Sequence, residues 1–223
     1  MILTDVGQIP QGSVALALAF LNLGAADPSR PFGRLIPGAA NEQIATLLED
    51  NAGRFVAVLT QQAVSDALAD PTRLADGTPV YQMHRHCDVP VFTFAALAAA
   101  LERLAEGDWP LVVIAHPGHL RRVRMNMQAL AGARPVHYLA VGPTRYQDAH
   151  WSRPLYWIVK NGIGWLVDGL LVLSRRWPWA GRVVGPLLTT IGAHSQCPEA
   201  ARLGKLGLRD GGWQAQSEAA AGG

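Results

Sequence analysis

An α/β fold, with a mostly parallel sheet of about five strands between helices, is the class this 223-residue sequence predicts. Two observations carry that expectation. Short runs rich in β-branched and aliphatic residues alternate with helical patterns from position 14 to 140, the order that builds parallel sheets with helices on both faces. One of these runs, LVVIA at 111–115, is continuously apolar, as strands buried on both faces are.

The elements follow in chain order. VALALAF (14–20) reads as the first strand, followed by a loop rich in Gly, Pro and Ser and a helix starting near Gly38. RFVAVLT (54–60) reads as the second strand and QQAVSDALAD (61–70) as a helix that stops before Pro71. PVYQM (79–83) is a weaker third strand. FAALAAALERLAEG (94–107) reads as a helix with Thr93 as its N-cap and a Gly stop. LVVIA and PVHYLAV (135–141) complete the sheet, with a helix over 119–131 between them.

Beyond Val141 the pattern changes. Residues 155–173 form a long, mostly apolar helical run, with Arg153, Lys160, Asn161, Asp168 and Arg175 marking one narrow polar stripe. Lys160, Asn161, Asp168 and three glycines interrupt it, so a clean span of ~20 apolar residues is not expected. The expected organisation is an α/β domain over 1–150, a helical Trp- and Arg-rich extension over 151–198, and a flexible tail over 199–223.

Charge divides the chain unevenly. Residues 1–111 carry six Arg and no Lys against 12 acids, whereas 112–223 carry 13 basic residues against five acids, leaving a net charge of +2. Six of the seven Trp lie beyond position 150. A basic, Trp-rich second half suits an anionic partner: a phosphate-bearing ligand, a membrane surface or nucleic acid. Nucleic acid is the weakest of these, because no recognised binding module accompanies the charge. The two cysteines, Cys87 and Cys197, form no disulfide framework, and MILTDVGQIPQGS lacks the basic and apolar regions of a signal peptide. The expected location is the cytoplasm, with the 151–182 segment allowing peripheral contact with the inner membrane or a protein partner.

Ligands of parallel α/β sheets sit at the carboxyl ends of the strands, which focuses attention on AHPGHLRRVR (115–124). His116 ends the fourth strand, Pro117-Gly118 turns the chain, and His119 and Arg122 share a face near the helix start. Free N–H groups, the positive dipole end and a guanidinium together make a sound anion site. On this reading His119 and Arg122 bind the anion and His116 transfers protons. Arg121, Arg124 and Asn126 are left pointing away from the sheet. The bland alternative is that His119 caps its helix and the arginines form a solvated face. Asn22 and Gly24 after the first strand, and Thr60 and Gln61 after the second, would line the same crevice. Asp148 and His150 are further acid–base candidates if their loop folds over it.

Other chemistries leave weaker traces. MHRHC (83–87) with Asp88 offers borderline-soft donors that could hold zinc, and a zinc-dependent hydrolase using His84, His86, His116 or His119 is the third functional reading. No GxGxxG, GxxxxGK[ST] or GxSxG motif occurs, which removes the commonest dinucleotide, nucleotide-hydrolase and esterase readings.

LVVIAHPGHLRRVRMNMQALAG resembles the segment of the ElyC/SanA/YdcF-like bacterial domain in which an apolar strand, a short turn and His-x-x-Arg open a helix ending at Gly. His119 and Arg122 match the His-x-x-Arg. NEQIATLLEDNAGRFVAVLTQQ looks like the family's helix and second strand, and VFTFAALAAALERL like its Thr-led helix, with Thr93 in the place of the Thr. The likeness spans roughly 14–150. It departs where the family often shows Ser-Gly-Gly, here Thr60-Gln61-Gln62, and at the Glu before and Asn after the Thr. The resemblance implies a Rossmann-like domain, Thr93 among the ligand-binding residues, a link to the cell envelope, and a nucleoside-type ligand such as S-adenosylmethionine. It implies no established reaction. The leading expectation is therefore a small-molecule-binding protein, enzyme or not, for an anionic or nucleoside-type ligand. A non-enzymatic membrane-surface or envelope-assembly protein is the alternative, motivated by the Trp and Arg of 151–182.

Overall fold

The computed structural model describes residues 1–3, 5–20, 34–83, 97, 100–101, 104, 108–132, 134–142, 165–166, 169, 172–173 and 177. Six strands form one sheet: β1 (Ile2–Leu3), β2 (Ser13–Ala17), β3 (Phe55–Thr60), β4 (Val80–Gln82), β5 (Leu111–Ala115) and β6 (Val136–Ala140). Their order is β1-β6-β5-β2-β3-β4 and every pairing is parallel. The chain winds outward from β2 through β3 to β4, then returns to β5 on the other side of β2 and winds out through β6. That reversal makes a Rossmann-like sheet with its topological switch point between the carboxyl ends of β2 and β5.

The helices are α1 (Ala39–Asp50), α2 (Gln62–Ser65) and α3 (Pro117–Leu130), with a further helical stretch through Leu97, Ala100 and Leu101. Two apolar layers cover the sheet. Ile44 and Leu48 of α1 and Val64 of α2 pack with Val58, Val112 and Ile114 on one face. Leu97, Ala100, Val123 and Met127 pack with Leu16, Leu59 and Val113 on the other. All five residues of β5 are buried, as its uninterrupted apolar run requires.

Several boundaries differ from the sequence expectation. β2 ends at Ala17, three residues early, because side-chain amides take the N–H groups of Ala19 and Phe20. α2 stops at Ser65 where helix was expected to Asp70. The Ser65 hydroxyl bonds the Gln62 carbonyl, and the Asp66 carboxylate accepts from Leu35 N–H and Gln62 Nε2, so local polar bonds compete with helix continuation. α3 begins at Pro117, two residues early, since proline suits the first helical position. β1 was not anticipated; two residues are too few to show a period.

The chain divides into two compact units, residues 1–85 with 96–159, and 86–95 with 160–223. The first carries the whole sheet. In the second, Trp165, Leu166, Gly169, Val172 and Leu173 are helical and Trp177 N–H donates to the Leu173 carbonyl. Most of the expected 151–198 extension and all of the 199–223 tail lie outside the described residues.

Candidate functional site

The switch point is built from the ends of β2 and β5. After β2, Leu18 N–H still joins the ladder through the Ile114 carbonyl. Ala19 N–H then donates to Gln61 Oε1 at 2.8 Å, and Phe20 N–H to Asn41 Oδ1 at 2.8 Å. Asn41 Nδ2 donates to the Phe20 and Pro37 carbonyls, so the first turn of α1 grips both polar groups of Phe20. Fully buried, Asn41 is well placed for this task in the first turn of α1, after the N-cap Gly38, whose φ of 76° suits glycine. Gln61 N–H closes the arrangement on the Ala17 carbonyl.

At the end of β5, His116 is the N-cap of α3. Its Nδ1 accepts from Gly118 N–H at 3.0 Å, and its carbonyl accepts from the N–H groups of His119 and Leu120. Pro117 has no N–H to offer. The helix start therefore does not present the free N–H groups expected from sequence; the His116 imidazole and carbonyl have taken them. The cap is also His116, where the bland sequence alternative named His119. The His116 ring stacks on Phe20 with centroids 3.8 Å apart and planes 7° off parallel. Against its edge lies Gly142, where any Cβ would come within 2.8 Å of His116 Cδ2.

One turn into α3, Arg122 Nη2 lies 2.7 Å from His119 Nε2. A guanidinium can only donate, so Nε2 must be the acceptor and the neutral ring carries its proton on Nδ1. Burial, and then the Arg122 and His116 charges, hold the His119 imidazole well below the ordinary histidine range, with the Ala19 backbone opposing them. His116, His119 and Arg122 are only 3%, 5% and 6% exposed. Asn126 continues the stripe and is fully buried, so it does not point away as expected. Arg124 is half-buried with its guanidinium 5.6 Å from the Tyr138 ring centre, a cation–π contact that replaces the expected solvated position. Arg121 is exposed, as expected.

His116, His119 and Phe20 thus come together, and Gln61 bonds the neighbouring Ala19 backbone. Thr60 ends β3 with its hydroxyl fully buried and making no hydrogen bond. Asn22, Gly24 and Thr93 lie outside the described residues, as do His84, His86, Cys87, Asp88, Asp148 and His150. Among the described residues no three His, Cys, Asp or Glu side chains converge as a metal site would need, and no helix is long and apolar enough to cross a membrane. Sequence reasoning missed Phe20, Asn41 and Gly142. Asn41 carried a signal, being a polar residue on the inward face of its helix, in step with Ile44 and Leu48.

Chemically, the site pairs a buried cation with two imidazoles. His116 accepts at Nδ1, so its neutral ring carries its proton on Nε2 as a hydrogen-bond donor; with the Nδ1 lone pair committed to Gly118 N–H, the ring has no site for the second proton that the expected acid–base transfer needs. No family model, no curated protein and no solved structure matches the chain.

Proposed function

We propose that this protein binds a small molecule bearing an anionic group, a carboxylate or a nucleoside-type ligand with such a group, at the switch point between β2 and β5. The observation that carries this reading is the buried Arg122 guanidinium, held against His119 beside the strand ends where such folds take their ligands. A guanidinium offers five N–H donors, and in a low-dielectric place its attraction for an anion is stronger than in water. Arg122 binds the anion, His119 orients the guanidinium, and His116 offers the ligand a hydrogen bond from Nε2–H. Phe20 and Gln61 form the rest of the wall, with Thr60 at the adjoining strand end. Kinship with the ElyC/SanA/YdcF-like domain belongs to the same proposal, supported by the His-x-x-Arg spacing at the start of α3.

Mass spectrometry of the full chain, purified natively and then denatured, tests it. An anionic small molecule should be released from the wild type and absent from an Arg122→Met variant that keeps its far-UV circular dichroism. Equal recovery from both proteins overturns the assignment of Arg122.

A further inference from the structure

Both imidazoles of the site are committed as hydrogen-bond acceptors, His116 Nδ1 to Gly118 N–H and His119 Nε2 to Arg122 Nη2. An anion needs donors and positive charge, and a ring lone pair facing it is repulsive. The charged and titratable groups facing His119 among the described residues are Arg122 on its own helix and His116 at the helix cap. Among the described residues at the end of β2, the Ala19 backbone and the Phe20 ring, whose centre is 6.3 Å away, lie nearest it. An anion paired with Arg122 therefore changes the largest charge in the neighbourhood of His119. It cancels the guanidinium that opposes protonation there and adds its own attraction for a proton. It also draws Arg122 donors toward itself, releasing the Nε2 lone pair that Nη2 now occupies.

We propose that anion binding at this site is proton-linked: an anion that pairs with Arg122 is taken up together with one proton from solvent, which settles on His119 Nε2. This rests on the anion-binding reading of the same residues. The doubly protonated ring then donates from Nε2 toward the anion, and a cation–anion–cation arrangement replaces the present guanidinium–imidazole pair. The site would favour uptake of a ligand in effect as its conjugate acid. Linkage is reciprocal, so the bound anion must raise the pH at which His119 titrates.

The test uses sulfate, which stays a dianion over the working range, with full-length protein between pH 8 and 5.5. Affinity should rise roughly tenfold for each unit of falling pH, the slope of one linked proton. His119→Gln, whose amide can turn to donate without a proton, should bind sulfate with a flat pH dependence. His116→Asn, which keeps an N-capping oxygen, should retain the slope. If His119→Gln does not fold, the ring ¹⁵N resonances of the wild type report protonation of Nε2 directly as sulfate is added. Affinity independent of pH in the wild type, or a slope that vanishes in His116→Asn and persists in His119→Gln, overturns the proton linkage and leaves anion binding standing. Failure of sulfate to bind at any pH removes the anion site itself.

Discussion

Gly142, Thr60 and His116 each expose one physical constraint on the site. Gly142 has φ of 121°, and a side chain there would collide with His116. Gly12 also has positive φ, at 73°, but open space around it. Gly142→Ala should therefore lower stability in urea titrations by roughly 2–4 kcal/mol, and Gly12→Ala by about 1–2 kcal/mol from backbone strain alone. Equal costs would mean that His116 yields freely to the added methyl. Thr60 presents the opposite case, a buried hydroxyl without a hydrogen-bond partner. The near-isosteric Thr60→Val should leave stability unchanged or raise it by about 1 kcal/mol, since no hydrogen bond is lost and an unsatisfied group is removed. A loss above ~1 kcal/mol would show that the hydroxyl is solvated or bonded in solution.

At the scale of elements, two amide side chains tie three elements together at the switch point: Asn41 joins α1 to the chain after β2, and Gln61 joins the end of β3 to the same stretch. Asn41→Leu, close in volume, strips both polar groups of Phe20 of their partners in a buried place. It should cost about 2–4 kcal/mol, and the same loss should disturb the Phe20–His116 stack. Histidine ring NMR checks the second part, through a shifted His116 spectrum in a variant still folded at low temperature. An unchanged His116 spectrum would mean that the stack is held by Gly142 and Gly118 alone. This coupling also marks where sequence reading stops. The runs that became β3, β5 and β6 were visible because one face or both are buried along their length. The His-x-x-Arg pair was visible because helical spacing is local. The Phe20–His116 stack joins the ends of two strands distant in sequence, and no periodicity within either strand encodes it. The shortened α2 was hidden for a related reason: bonds made by Ser65 and Asp66 outweighed an acceptable helical pattern, and the partner of Asp66 lies at Leu35.

For the whole molecule, the parallel architecture was legible because alternating strands and helices admit few other arrangements, whereas the strand order that creates the switch point was not written in any one segment. The consequence of that order is a neutral imidazole sealed inside the fold, and it makes global stability depend on pH. In the unfolded chain the His119 ring titrates near 6.5, while in the fold burial and Arg122 keep it unprotonated to much lower pH. Its folded-state affinity for protons is thus depressed, so its contribution is fully present above about pH 6.5 and is lost as pH falls below it. The unfolded state binds a proton the native state refuses, and the slope approaches about 1.4 kcal/mol per pH unit for one such group. Asp70 and Asp76 are lowered by hydrogen bonds to Thr72 and Thr78, Asp70 to about 2, so they act in a separate window below the carboxylate range. Urea midpoints measured from pH 8 to 5 should be level at first and fall steadily below about 6.5, and His119→Gln should flatten that fall. His137, also depressed by burial but only partly buried where His119 is sealed, should change the profile less than His119 when replaced by Gln. A wild-type profile that stays level to pH 5 would show that His119 takes up its proton in the fold, and that Arg122 does not hold it neutral.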